Sequence, residues 1–316
     1  MTKDLIDILQ LSREEIDELI ATAGDIIEHP DVYAHKCDGK KIATLFYEAS
    51  TRTRLSFESA MIELGGNVIG FSSATDSSVS KGESVADTAQ VISCYADIIA
   101  MRHPQEGAPY VASRNASIPV INAGDGGHCH PTQTLADLLT IYREIGRLNN
   151  LTVGCCGDLK YGRTVHSLLT AMRHFSPTFH FIAPDELAMP EHYKMYCRQN
   201  GIKFVEHQDF DADTIAGADI LYMTRVQRER FTDLDEYERV KDRYLLSRAM
   251  LSKAKPNMKI LHPLPRVNEI EYSIDDTPYA YYFQQAQNGL YARQAILCDT
   301  LGITLDDIIN DKISFK

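Results

Sequence analysis

The chain shows no disulfide framework, no apolar run of bilayer length and no nucleotide loop. Its seven Cys include no CxxC pair and no spacing that reads as paired bridges. No apolar run approaches the ~20 residues a helix needs to cross a bilayer. The opening residues, MTKDLIDILQLSREE, carry charge where a signal peptide needs an apolar stretch. Basic residues are in deficit: 32 Lys and Arg face 44 Asp and Glu, a net charge of -12. That balance excludes a general nucleic-acid or membrane-surface binder. The phosphate loop GxxxxGK(S/T) is missing. So is GxGxxG; Gly154-Cys155-Cys156-Gly157-Asp158 follows the dinucleotide theme only loosely. Low-complexity segments and fixed-period repeats are also lacking. These absences predict a cytoplasmic protein without a cofactor, its thiols reduced and buried. Cys155 and Cys156, adjacent in an apolar run, are expected on opposite faces of one strand.

What remains is a chain of 316 residues, room for two ordinary domains. At 44% hydrophobic it can bury strands without staples. Strand-like runs are predicted at 41–47, 67–71, 97–101, 119–123, 151–156, 178–183, 202–206, 219–224 and 258–261. Helical patterns alternate with them. Phe57, Ala60, Met61 and Leu64 recur at helical spacing until Gly65-Gly66 stops the pattern. Further helices are predicted at 85–95, 131–146, 163–174 and 288–301, the second opening with Pro131 in its first turn. The alternation predicts an α/β fold: two doubly wound parallel-sheet domains, linked by the helix from Pro131.

The residues that break the pattern gather after strand ends. They are Ser50-Thr51-Arg52-Thr53, Arg102-His103, His130 to Gln133, Asp158 to Arg163, Arg225 to Gln227, and His262 to Arg266. Ligands of open α/β sheets bind outside the carboxyl ends of the strands. A cleft between the two domains is therefore the expected active site.

In FYEASTRTRLSFESA, the seven positions from Ser50 to Ser56 hold two arginines and four hydroxyl residues at the mouth of a helix. A helix N-terminus is already partly positive and prefers acids. Arginine belongs there if an anion arrives from outside: backbone N–H groups, hydroxyls and Arg52 can ring a phosphate. The same letters also describe a hydroxyl cap followed by solvated arginines. His103, His130 and His262 each precede proline, which holds the preceding residue extended; each reads equally as a buried structural histidine. Gly127-His128-Cys129-His130 has too few spaced ligands for a metal. Lys81, in SSVSKGES, reads alone as an exposed lysine.

Taken together, FYEASTRTRLSFE, SSVSKGES, MRHPQEG, NAGDGGHCHPTQTLADLLTI, GDLKYGRTVHSL, YMTRVQRER, HPLPR and FQQAQNGLYARQA resemble the aspartate carbamoyltransferase catalytic-chain family. The motifs stand in family order from about residue 40 to 300. The resemblance implies transfer of a carbamoyl group from carbamoyl phosphate to L-aspartate, in pyrimidine synthesis. It implies a carbamoyl-phosphate-binding domain at 1–145 plus 286–316 and an aspartate-binding domain at 146–285. Ser50, Thr51, Arg52 and Thr53 are implied to hold phosphate, and Arg102, His130 and Gln133 the carbamoyl group. Ser77 and Lys81 are implied to reach in from a neighbouring subunit of a homotrimer, with Lys81 serving both substrates. Arg163, Arg225 and Gln227 are implied to hold the aspartate carboxylates. Leu264 and Pro265, joined by a cis peptide, are implied to offer backbone carbonyls to the amine. Arg52, Thr53, Lys81, Arg102 and His130 form the catalytic set, and no metal is implied.

The nearest rival, ornithine carbamoyltransferase, carries HCLP where this chain has His262-Pro263-Leu264-Pro265. Loss of Arg52, Lys81, Arg102 or His130 would mark a non-catalytic binding subunit, and all four are present. Zinc-binding regulatory chains are expected partners of some family members. Arg54 is expected to be structural, in a salt bridge or a subunit interface. Glu48 is expected to be a counter-ion for arginines such as Arg163 or Arg230.

Overall fold

In β1 (Lys41–Phe46), every residue after the first is buried, with no solvent face. An unbroken apolar run is what a parallel strand covered on both sides requires. The same holds for β3 (Ile98–His103), up to its last residue, and for β4 (Val120–Asp125). β2 (Asn67–Phe71) is only partly buried, as its edge position allows. The structure, a computed structural model, describes residues 3–74, 78–226, 234–240 and 243–303. It divides into two compact units, Met1–Leu139 with Asn288–Lys316, and Thr140–Gln287.

The first unit holds a four-stranded parallel sheet in the order β2-β1-β3-β4. The chain runs from β1 to one edge and from β3 to the other, so the winding reverses between these neighbours. Its helices are α1 (Arg13–Glu28), α2 (Pro30–Tyr33), α3 (Thr51–Glu63), α4 (Val85–Ile92) and α5 (Ala108–Asn115). Ser12 and Glu15 close a reciprocal capping box on α1, whose Ile16, Leu19, Ile20, Ala23 and Ile26 are buried. Before α1, Leu5 pairs with the outer side of β4, bonding Val120 O at 3.0 Å and Asn122 N at 2.8 Å.

The second unit holds a five-stranded parallel sheet in the order β7-β6-β5-β8-β9. The strands are β5 (Thr152–Cys156), β6 (Thr178–Ile182), β7 (Lys203–His207), β8 (Ile220–Met223) and β9 (Lys259–Leu261). Here the winding reverses between β5 and β8. All nine strands lie where the apolar runs predict them. Cys155 and Cys156 are buried in β5 and every cysteine is a free thiol, only Cys94 being exposed. Between the strands lie α7 (Arg163–Ala171), α8 (Glu191–Gln199), α9 (Ala212–Ile215) and α10 (Leu234–Val240). The chain passes from one unit to the other within α6 (Pro131–Ile145) and α11 (Tyr282–Leu301).

Several helices depart from the sequence reading, which named none before β1, where α1 and α2 lie, and carried α4 on to residue 95. α5 is short and starts beside Gly107 and Pro109, residues that read as loop. Gly107 takes φ +78° as its N-cap, and the proline fits the first turn. α11 begins at Tyr282, ahead of the predicted Asn288, because Tyr282 and Gln285 are already buried.

Candidate active site

Helix α3 opens at the carboxyl end of β1 without a side-chain cap. Ser50, its N-cap, makes no capping hydrogen bond, and the first turn holds no acid. The first N–H groups of a helix have no intrahelical acceptor. In α1 and α4 the serine at the same position accepts from the backbone. In α3 the N–H groups and the hydroxyls of Ser50 and Thr51 remain for a ligand. Thr51 and Arg52 are exposed and Thr53 is buried. Arg54 turns away: its Nε donates to Glu58 Oε1 at 2.7 Å, and Glu58 also accepts from the Thr44 hydroxyl at 3.0 Å. Arg54 thus has the expected salt bridge.

Arg102 sits opposite Phe46 on the neighbouring strand, which brings it to the same sheet edge as the α3 mouth. It is buried, 9% exposed, yet poorly satisfied. Nη1 reaches Ala123 O at 3.5 Å, Nη2 stands 3.6 Å from Glu48 Oε2, and the buried Nε has no acceptor. Burial lowers its pKa, Glu48 opposes this, and the neighbouring charge of Arg52 lowers it further. Arg52 is also held below its ordinary value by desolvation. An unsatisfied buried donor costs about 1–3 kcal/mol. Two adjacent cations at an uncapped helix start gain from an oxyanion on both counts.

The three His-Pro pairs share one local geometry. Proline has no N–H, so the first donor after each histidine lies two residues on. His103 Nδ1 accepts from Gln105 N at 2.9 Å, and His262 Nδ1 accepts from Leu264 N at 2.7 Å. The Thr132 hydroxyl lies 3.4 Å from His130 Nδ1. In the neutral rings of His103 and His262, where a backbone N–H donates to Nδ1, this places the proton on Nε2. His103 packs against Tyr47, ring centres 4.6 Å apart, and has a structural role. His262 gives its Nε2–H to Glu269 at 2.7 Å and is structural too. His130 is buried at the start of α6.

One turn further along α6, the Gln133 amide donates to Asp137 at 2.8 Å. That fixes which end is nitrogen and leaves Oε1 as an acceptor for an N–H. The sequence reading missed two buried residues beneath this helix start. Asp137 holds Gln133. Arg293, from α11, donates to Gly289 O at 2.7 Å and reaches the Thr132 hydroxyl at 3.5 Å. While accepting from Arg293, the Thr132 hydroxyl keeps a hydrogen that it can give to His130 Nδ1. A charged residue inside FQQAQNGLYARQA was the only sequence signal. Lys81 ends a short 3₁₀ turn and is exposed; Ser77 lies outside the described residues.

In the second unit, Arg163 and Arg225 follow β5 and β8, the two strands where the winding reverses. Cys156 and Met223, near the ends of those strands, are register partners. Gln227 and Arg230 lie outside the described residues. The Leu264–Pro265 peptide is cis, and Leu264 takes φ +55°, a region that disfavours leucine. The loop is over-determined around it. Glu269 accepts from His262 and from the N–H groups of Val267 and Asn268 at 3.0 and 3.1 Å. Gln285 Oε1 accepts from His262 N at 2.8 Å. Burial pushes the Glu269 pKa up, but His262 and the loop N–H groups outweigh it and the net shift is down.

The family description "Aspartate/ornithine carbamoyltransferase, carbamoyl-P binding domain" matches residues 3–143. "Aspartate/ornithine carbamoyltransferase, Asp/Orn binding domain" matches 149–300. The aspartate carbamoyltransferase catalytic subunit of Phocaeicola vulgatus is 60% identical over 309 residues, 98% of each chain. The chain belongs to the aspartate carbamoyltransferase catalytic-chain family. The Clostridium kluyveri member is 56% identical over 302 residues, 95% of this chain and 98% of its own. Among solved members, the M. jannaschii catalytic subunit superposes with TM-score 0.87 at 47% identity, covering 95% of this chain and 98% of that one. A Trypanosoma cruzi aspartate transcarbamoylase solved with carbamoyl phosphate and aspartate gives 0.88 at 37%, covering 94% and 96%. The α3 mouth, Arg102 and the α6 start fall in the carbamoyl-phosphate stretch of the family. Arg163, Arg225 and the Leu264 loop fall in its aspartate or ornithine stretch.

Proposed function

We propose that the chain transfers the carbamoyl group of carbamoyl phosphate to the amine of L-aspartate, giving N-carbamoyl-L-aspartate and phosphate. The observation that carries this is Arg102, a buried cation with an unsatisfied Nε beside an uncapped helix start and a second arginine. Ser50, Thr51, Arg52 and Thr53 take the phosphate. Arg102 and the His130 Nε2–H take the carbonyl oxygen, on which negative charge grows as the amine attacks. Gln133 Oε1 accepts from the carbamoyl NH2. Arg163, Arg225 and Gln227 take the two carboxylates, and the carbonyls of Leu264 and Pro265 accept from the neutral amine. The new N–C bond forms as the C–O bond to phosphate breaks, and the amine's proton leaves with the phosphate. The donor is already activated, so no covalent nucleophile is required.

Bringing two anions together is the electrostatic cost. Like charges 4 Å apart repel by about 4 kcal/mol at an effective dielectric near 20. Four arginines, at 52, 102, 163 and 225, offset it. Holding both reactants aligned supplies much of the remaining rate enhancement. We assign 1–145 plus 286–316 to carbamoyl phosphate and 146–285 to aspartate. The active form is a cytoplasmic homotrimer in which Ser77 and Lys81 complete the neighbour's site. The product enters pyrimidine synthesis, and zinc-bearing regulatory chains are candidate partners.

Ornithine is the competing acceptor, since the family descriptions admit it. Two arginines suit a diacid better than a cationic amino acid, and HPLP stands where the ornithine enzymes carry Cys. Turnover with carbamoyl phosphate is to be measured with L-aspartate and with L-ornithine, on wild type and Arg52→Ala. Activity with aspartate alone, lost in the variant, is expected. Activity with ornithine alone overturns the acceptor, and a fully active variant overturns the phosphate site.

A further inference from the structure

His166 lies one turn into α7 from Arg163 and is buried, yet the transfer chemistry gives it no task. Its Nε2 is 2.7 Å from the carbonyl of Leu159, in the loop that leads from β5 to α7. A carbonyl only accepts, so Nε2 carries the proton and donates. The ring stacks on Tyr193 of α8, centres 4.0 Å apart and planes 22° from parallel. Burial drops the His166 pKa to about 4, against the pull of the Leu159 carbonyl and with help from nearby His192. The ring is therefore neutral at any working pH.

The loop it holds is short and tied at several points. Leu159 is fully buried, and its N–H donates to Leu187 O at 3.1 Å. Tyr161 N donates to the Asp158 carboxylate at 2.9 Å, and Arg163 N donates to Tyr161 O at 2.9 Å. The turn has no room for side chains at its two glycines. A Cβ on Gly157 (φ +110°) would meet Thr224 O at 2.4 Å, and one on Gly162 would meet Asp158 O at 2.4 Å. His166 supplies a side-chain donor to the Leu159 carbonyl, directly upstream of the arginine.

We propose that His166 is a positioning residue for aspartate: stacked on Tyr193, it holds the Leu159 carbonyl and so fixes the loop that aims Arg163 at a substrate carboxylate. The inference rests on the reading of Arg163 as an aspartate ligand. His166 itself touches no substrate.

The test compares His166→Leu, which keeps bulk and loses the donor, with His166→Gln, which keeps an N–H. Steady-state KM for aspartate and for carbamoyl phosphate, and kcat, are measured on the intact enzyme. His166→Leu is expected to raise the aspartate KM about tenfold, the scale of one lost buried hydrogen bond, with carbamoyl phosphate KM within about twofold. His166→Gln is expected to restore most of that loss, and neither variant to change the pH profile. A folded His166→Leu enzyme with wild-type aspartate KM, or one that loses both substrates equally, overturns the proposal. If His166→Leu does not fold, Tyr193→Leu removes the stack alone. A rise of about two- to fivefold in aspartate KM supports the clamp, and no change overturns it. Arg163→Ala, run in parallel, separates the failures: an unchanged aspartate KM there sinks the ligand reading itself.

Discussion

Arg102 Nη2 stands 3.6 Å from Glu48 Oε2, a loose ion pair between a buried guanidinium and a partly exposed carboxylate. The two groups are close enough to attract and too far apart to satisfy each other. Glu48 thereby offsets part of the burial cost of the Arg102 charge but competes with any anion for it. Glu48→Gln is predicted to tighten inhibition by inorganic phosphate about two- to fivefold, the scale of one partly screened charge. A phosphate inhibition constant that stays level or weakens would show that Glu48 does not face the anion site.

The two arginines of STRTR divide by their partners. Arg54 is spent on Glu58, in a half-exposed pair four residues apart on α3. Arg54→Met is predicted to cost less than about 1 kcal/mol of stability and to leave the KM for carbamoyl phosphate near wild type. Arg52→Ala should do the reverse. Paired melts and kinetics read both; a carbamoyl phosphate KM raised equally by the two variants would end the distinction.

The strands were legible because parallel strands covered on both faces must be unbroken apolar runs. The strand-end clusters were legible because the winding order sends Arg52, Arg102, Arg163 and Arg225 to carboxyl edges. Arg293, Asp137 and Glu269 were not legible. Arg293 acts on a residue far away, Glu269 on His262 and its own loop's N–H groups, and Asp137 on Gln133 one turn back, and nothing in the local letters says what each side chain will meet. The three His-Pro pairs fall between these cases. The sequence located them, but the i+2 donor that fixes each ring is a matter of backbone geometry.

That geometry carries a prediction for His130. If the Thr132 hydroxyl, accepting from Arg293, donates to Nδ1, the proton stays on Nε2 where a carbonyl oxygen needs it. Thr132→Val removes the donor and lets the other tautomer compete. A drop of about two- to tenfold in kcat/KM is expected, with a shift of the ring nitrogens toward the Nδ1–H form by NMR. Unchanged kinetics and nitrogen shifts would rule out the relay.

His128 is clasped by two acids, Asp125 at 3.1 Å and Asp7 at 3.4 Å. The Asp125 and Asp7 hydrogen bonds raise its pKa from 6.5 to about 10 in the folded chain. A raised folded pKa stabilises fully below the unfolded value and fades as pH climbs through the folded one. The gap in melting temperature between wild type and His128→Asn should be widest near pH 6 and close by about pH 10. Asp7 and Asp125 have the opposite sense. Burial raises both, the hydrogen bonds from His128 and from neighbouring backbone and side-chain donors together outweigh it, and their contribution is lost as pH falls below 3.8. A gap that stays constant from pH 6 to 10 would mean that the clasp is electrostatically inert.

Lys81 is exposed on the turn before α4, where its charge has little to do for its own chain. If it completes a neighbour's site, two dead enzymes should repair each other. Lys81→Gln and Arg52→Ala chains are each predicted to be nearly inactive. Dissociated, mixed in equal amounts and reassembled, they would give, in the proposed trimer, some sites that take Arg52 from one chain and Lys81 from the next. Random assembly in a closed ring gives about a quarter of sites both residues, and about a quarter of wild-type activity. A site that drew both residues from one chain would recover nothing on mixing, and that outcome would return Lys81 to the solvent.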